Sequence, residues 1–278
     1  MIDDGDLRVV QLVSAGLVAC GLLVTVGSSL MFSSGSKVGK ITAENMLSWS
    51  PRGFCGSGPP GKSPVFGVMW SSIYLSQLYF SIVLLITALQ NSVFHDQVAL
   101  FTACACVFSS TTIAAFWTPV FTSNTKTGFV LASILLISCA TIATIGAVAG
   151  KPFLNPEFDD PLIDAGLTFI SFFAGWTLVA SGLSIGITVR AYDRGVGAKS
   201  TDAEDAVSFF PLALSVLAAV VAILFAVPVL PLPLLIALFF VKDLFKRWTL
   251  WIAAIVSVVG IVVGIVMVFL YTGSGPWW

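Results

Sequence analysis

The sequence predicts an all-α fold, a polytopic bundle of transmembrane helices, and three observations predict it. Of its 278 residues, 57% are hydrophobic and only 10% are charged, where soluble domains carry about 25% charged residues. The mean hydropathy is +1.00. The ionisable residues also leave eight apolar runs free of Asp, Glu, Lys, Arg and His, near 9–32, 65–90, 98–121, 127–149, 165–189, 206–227, 230–241 and 248–271. Seven are long enough to cross ~30 Å of hydrocarbon as helices. The net charge is −1, and no basic face exists to hold phosphates, which excludes nucleic acid as a partner. The lipid bilayer takes that place.

The first run follows an acidic start, Asp3, Asp4 and Asp6, with no basic region before it. It reads as a retained helix rather than a signal peptide. Gly16, Gly21 and Gly27 suit it to close packing. The 33–64 connection is the longest and holds Trp49, Phe54, Pro59 and Pro60. Loops of this length usually have a task, here a lid; the alternatives are a docking surface for another subunit or simple disorder, against which the aromatic residues argue. It leads into the stretch that organises the chain, Pro59–Leu75, PPGKSPVFGVMWSSIYL. Phe66, Trp70, Tyr74 and Gln77 recur at spacings of four, four and three, which places them on one helical stripe. Rings with polar tips and one amide differ from the plain aliphatic face that lipid asks for. They suit one wall of a ligand pocket; the plainer alternative is a pair of interface anchors.

The third run ends with Trp117 and Pro119, and the fourth follows after the short turn Ser123–Lys126. Helices joined so briefly are antiparallel neighbours. The 150–164 connection is acidic and lacks the spacing of a calcium loop. On the fifth run Thr177, Ser181 and Ser184 share a face, placed for packing first and for lining a cavity second. The segment Tyr192–Asp205 turns charged and polar, and marks the internal boundary. Pro228, Pro231 and Pro233 interrupt the next stretch, so 206–241 is one kinked helix or a tight hairpin of two. The last run carries Gly260-x-x-x-Gly264, a close-contact face, and the chain ends in the interface anchor GPWW.

With eight crossings both termini lie on one side. Eleven of the thirteen Lys and Arg residues then fall in loops on the other, so the positive-inside rule puts the termini on the non-cytoplasmic side. Chemistry-bearing residues are sparse. Cys20, Cys55, Cys104, Cys106 and Cys139 form no CxxC pair, and His95 is the only histidine. No carboxylate pair, Ser/His/Asp set or metal-ligand cluster can be assembled, so neither an enzyme nor a metal site is expected. Ionisable groups confined to loops and edges also argue against ion-coupled transport.

Residues 9–190 resemble the TspO/MBR family, which includes translocator protein and the bacterial tryptophan-rich sensory protein. The family's second helix opens with a PPG…VFG..W…Y pattern. Here it reads Pro59-Pro60-Gly61, then Val65-Phe66-Gly67, Trp70 and Tyr74, with two extra residues after the PPG. The pattern ending the third helix is matched by Trp117-Thr118-Pro119-Val120-Phe121, and a fifth-helix Trp by Trp176. With its long early loop and three added helices, the chain looks most like the eight-helix branch. The sequence departs from the family at Ala114, Ser133, Phe172 and Ser184, where Asn, an acidic residue, Pro and Asn are common.

The resemblance implies a five-helix transmembrane domain over 1–190 and a three-helix extension over 191–278. It also implies a flat apolar ligand, a tetrapyrrole or sterol, with a porphyrin- or haem-like molecule as the cofactor candidate. Phe66, Trp70, Tyr74, Trp117 and Trp176 would wall it, Ser133 and Ser184 would occupy the polar positions, and Trp49, Phe54, Pro59 and Pro60 would belong to the lid. The alternative is a structural or accessory subunit with a degenerate pocket, bound to partner membrane subunits or to a second copy of itself.

Overall fold

The computed structural model describes residues 4–31, 64–90, 97–151, 161–195, 205–239 and 248–273. Every apolar run has become a helix: α1 (Asp4–Met31), α2 (Pro64–Leu89), α3 (Gln97–Thr122), α4 (Lys126–Gly150), α5 (Pro161–Arg194), α6 (Asp205–Leu224), α7 (Leu232–Phe239) and α8 (Trp248–Gly273). In hydrocarbon each backbone N–H and C=O must be satisfied within the chain, and helices do that segment by segment. Six helices, α1 to α5 and α8, are long and apolar enough to span a membrane. The protein is therefore a multi-pass, all-helical membrane protein. The 33–64 connection, including Trp49, Phe54, Pro59 and Pro60, lies outside the described residues except for Pro64, as do Cys55 and His95.

Side-chain polarity is handled locally. Ser14, Thr25, Ser81 and Ser181 each donate to the carbonyl four residues back, so their hydroxyls cost little at membrane depth. A few polar groups instead tie helices together. The Gln11 amide donates to Thr87 Oγ1 at 2.7 Å, joining α1 to α2. Ser110 and Cys139 donate to each other's carbonyls at 3.3 and 3.2 Å, joining α3 to α4. These two helices are antiparallel neighbours, as their short turn requires. Thr125 caps α4, its hydroxyl accepting from the Gly128 N–H at 3.0 Å.

The helix α5 is the centre of the bundle: 83% of its apolar eighteen-residue stretch is buried, against 22% for that of α8. It meets α2 through Gly166, against which the Phe80 ring lies, and α4 along most of its length, from Leu167 beside Gly150 to Thr188 beside Phe129. Close packing at glycines is selective. A Cβ on Gly21 would lie 2.7 Å from Thr111 Oγ1, whereas Gly16 and Gly27 have open space beside them. Of Gly16, Gly21 and Gly27, Gly21 alone has a packing role among the described residues.

The proline-rich stretch resolves as two helices. A Cβ on Gly260 of α8 would stand 2.7 Å from Ala219 Cβ, and one on Gly264 would stand 3.3 Å from the Ala222 carbonyl, so α6 and α8 run in parallel. Pro228 continues to the level of Gly264, at 3.1 Å, but Pro231 has returned to Gly260, at 3.4 Å. The chain reverses between them. Both glycines of the Gly260-x-x-x-Gly264 pair are thus in use as a close-contact face.

Candidate functional site

Three of the sequence-selected residues come together between α2 and α5. The Trp70 and Trp176 rings meet edge to face, 6.5 Å between centroids at 89°. Tyr74 lies 5.8 Å from Trp70 on the same helix, tilted by 33°. Trp176 is 1% exposed, and Trp70 and Tyr74 are half-buried against the same core. Edge-to-face geometry sets the positive rim of one ring against the negative face of the other. Burial follows from the helix period: α2 turns Met69, Ile73, Gln77, Phe80 and Leu84 fully inward, and Trp70 and Tyr74 flank that stripe. Phe66 is on the same helix, but its side chain lies outside the described residues.

Trp117 belongs elsewhere. It stacks on Phe121 at 4.9 Å, and Phe121 packs on Phe129 at 5.3 Å across the α3–α4 turn. These rings form a second cluster with Ile187 and Ala191 of α5. Ile187 is eleven residues beyond Trp176 on that helix, which at 1.5 Å per residue is about 17 Å.

Ser133 and Ser184 are both buried and are hydrogen-bonded to each other at 2.9 Å. Ser133 also meets Thr188 Oγ1 at 2.8 Å, and Thr188 donates to the Phe129 carbonyl at 2.9 Å. The Ser184 carbonyl is a second acceptor for Thr188, also at 2.9 Å, so the three hydroxyls and two carbonyls form one connected cluster. The two serines serve as a seam between α4 and α5. Thr188 is absent from the residues selected by sequence, although its spacing of four from Ser184 marks it as a same-face neighbour.

Gln77 is the residue whose environment the sequence does not disclose. It is 0% exposed, and among the described residues neither its amide oxygen nor its nitrogen has a hydrogen-bond partner. The hydroxyl of Ser171 and the indole N–H of Trp117 are buried in the same condition. Among the described residues no group of three His, Cys, Asp or Glu side chains could hold a metal ion. No protein-family model matches the chain, and neither a curated protein nor a solved structure matches it.

Proposed function

We propose that this multi-pass membrane protein binds a flat apolar ligand of the tetrapyrrole or sterol kind in the manner of the TspO/MBR family, with α2 and α5 as the binding walls. The observation that carries this reading is the Trp70–Trp176 pair with Tyr74 beside it. The half-buried Trp70 and Tyr74 rings form an aromatic surface backed by the fully buried Trp176, and the same residues carry the family-like motif. Flat ligands suit such a surface because stacking and apolar burial add together. The role is binding rather than catalysis.

Tryptophan fluorescence of the purified protein tests it. Protoporphyrin IX is expected to quench saturably, and Trp70→Ala to weaken that quenching at least tenfold. Trp117→Phe, in the separate cluster, is expected to leave it unchanged. Non-saturable quenching, equal in all three proteins, would refute the reading. A second reading has its own support. The Ser133 and Ser184 hydroxyls are consumed by one another, as in a packing scaffold, which favours an accessory subunit of a larger membrane assembly. Co-purification in fixed stoichiometry with other membrane proteins, together with non-saturable quenching, would select it.

A further inference from the structure

An unpaired primary amide deep in a membrane bundle is costly, since it has lost its water and gained nothing. Gln77 is placed between two fixed contacts of α2 with α5. Trp70 meets Trp176 above it, and Phe80 meets Gly166 below it. Interpolating between them in the antiparallel register puts Gln77 opposite Phe169, Ile170 and Phe173. All three are buried and apolar, so α5 offers the amide nothing there. From Trp70 to Gln77 is seven residues, about 10 Å along α2 and nearly the same angular face. The amide oxygen accepts and the amide nitrogen donates.

We propose that Gln77 is the polar anchor of the ligand site, hydrogen-bonding the hydroxyl head of a flat, uncharged apolar alcohol whose body lies along α2 toward Tyr74 and Trp70. This deepens the reading above and rests on it. A hydroxyl both donates and accepts and so answers both ends of the amide. An ionised head would bring a charge that a neutral amide in apolar surroundings does not compensate.

Energy transfer from tryptophan to dehydroergosterol, with competition by cholesterol and by its 3-deoxy analogue cholest-5-ene, tests the assignment. Wild type is expected to prefer cholesterol at least tenfold. Gln77→Leu is expected to bind the two equally, and in the ligand-free state to melt at a higher temperature than wild type, because an uncompensated amide has been removed. Equal competition in wild type overturns the proposal, as does a hydroxyl preference that survives in Gln77→Leu or a lowered melting temperature in that variant. Porphyrin quenching without any sterol transfer overturns the alcohol head but keeps the aromatic wall. Absence of both removes the wall as well, so the two readings fail separately.

A different observation supports a second inference, about how the chain sits in the membrane. The α6–α7 turn stops beside Gly175, where a Cβ would run into the Leu230 carbonyl and stand 3.0 Å from Pro233, and beside Gly264. Below Gly175, α5 continues for fourteen residues, and below Gly264, α8 continues for nine. These are about 21 and 14 Å. The continuation of α8 exposes Ile265, Val266, Phe269 and Leu270, as a lipid-facing segment does. We infer that α6 and α7 form a re-entrant hairpin whose tip ends inside the hydrocarbon, leaving six complete crossings.

Irregular backbone is tolerated at that depth only inside protein, and most of the tip meets this condition, Phe225 alone of its residues being exposed. Ala226, Val227, Pro228, Leu230, Pro231 and Pro233 are buried. The N–H groups of Phe225, Val227, Leu230, Leu232 and Leu235 all find carbonyls, and the three prolines have no N–H to satisfy. A re-entrant hairpin enters and leaves on one side, so both chain termini still share a side and the distribution of basic residues is unchanged. Single cysteines at Val229, Ser200 and Asp243, in a background lacking the native cysteines, read the topology with a membrane-impermeant maleimide. Ser200→Cys and Asp243→Cys are expected to label from one common side, and Val229→Cys from neither. Labelling of Val229→Cys from the side of the termini would establish two full crossings and overturn the inference.

Discussion

Replacing Gly260 by alanine isolates the α6–α8 contact, provided it is compared with the same change at Gly16. Both glycines are helical, so both substitutions gain about 1 kcal/mol of helix propensity. They differ in surroundings. A Cβ on Gly16 meets nothing within 4 Å, whereas one on Gly260 lies 2.7 Å from Ala219 Cβ and 2.8 Å from Ala219 Cα. Carbon atoms rest at about 3.5–4.0 Å, so the two helices must separate by most of an ångström. The obstacle is backbone, which cannot swing aside as a side chain can. Overpacking of this kind costs about 1–3 kcal/mol, and the separation would also loosen Pro231, 3.4 Å from the same position. Unfolding titrations in mixed micelles should therefore place Gly260→Ala about 1–3 kcal/mol below Gly16→Ala. Equal stability of the two variants would show that α6 and α8 do not approach as closely as this seam requires.

Other expectations follow from other contacts. A double-mutant cycle on Ser133→Ala and Ser184→Ala should give a coupling of about 0.6 kcal/mol, and at most ~1.7, the range found for hydroxyl bonds between membrane helices; zero coupling would mean that the serines face different partners. Gly166→Ala should destabilise by about 1–3 kcal/mol through collision with the Phe80 ring, and adding Phe80→Leu should recover part of that loss, a rescue that random damage to α5 would not show. Gln11→Leu should cost about 1 kcal/mol or less, because Thr87 keeps the carbonyls of Val83 and Leu84 as alternatives; a loss several times larger would mean that Gln11 has a further buried role.

The helices were legible because the bilayer enforces them: a run without ionisable groups has one stable conformation in hydrocarbon, and each run became a helix. The α3–α4 hairpin was legible from the length of its turn. Part of the α2–α5 aromatic cluster was legible too, since a spacing of four put Trp70 and Tyr74 on one face of α2. What spacing within one helix does not contain is the register between helices. Trp117 and Trp176 look alike as aromatic residues in apolar runs, yet Trp176 lies on α5 itself and the Trp117 cluster meets that helix at Ile187, about 17 Å further along. The same limit hid the partnership of Ser133 with Ser184, which depends on where α4 lies along α5.

The prolines near residue 230 show what such a pattern encodes and what it leaves to packing. Three prolines within six residues dictate a break, because each lacks an N–H and clashes with the preceding turn. They do not say whether the break bends one helix or reverses the chain, nor at what depth. Those answers come from residues distant in sequence. Gly264 and Gly260 admit Pro228 and then Pro231 at successively shallower levels of α8, which makes the break a reversal. Gly175 lacks the side chain that would collide with the Leu230 carbonyl, so the tip can rest midway along α5. A larger residue at position 175 would push the hairpin off α5 at the residue next to Trp176. The shape of the aromatic wall on one face of α5 is in this way tied to the seating of the hairpin on another. Gly175→Val should accordingly disturb protoporphyrin quenching without touching Trp70 or Tyr74, and unaltered quenching in a folded Gly175→Val protein would show that the two faces of α5 are independent.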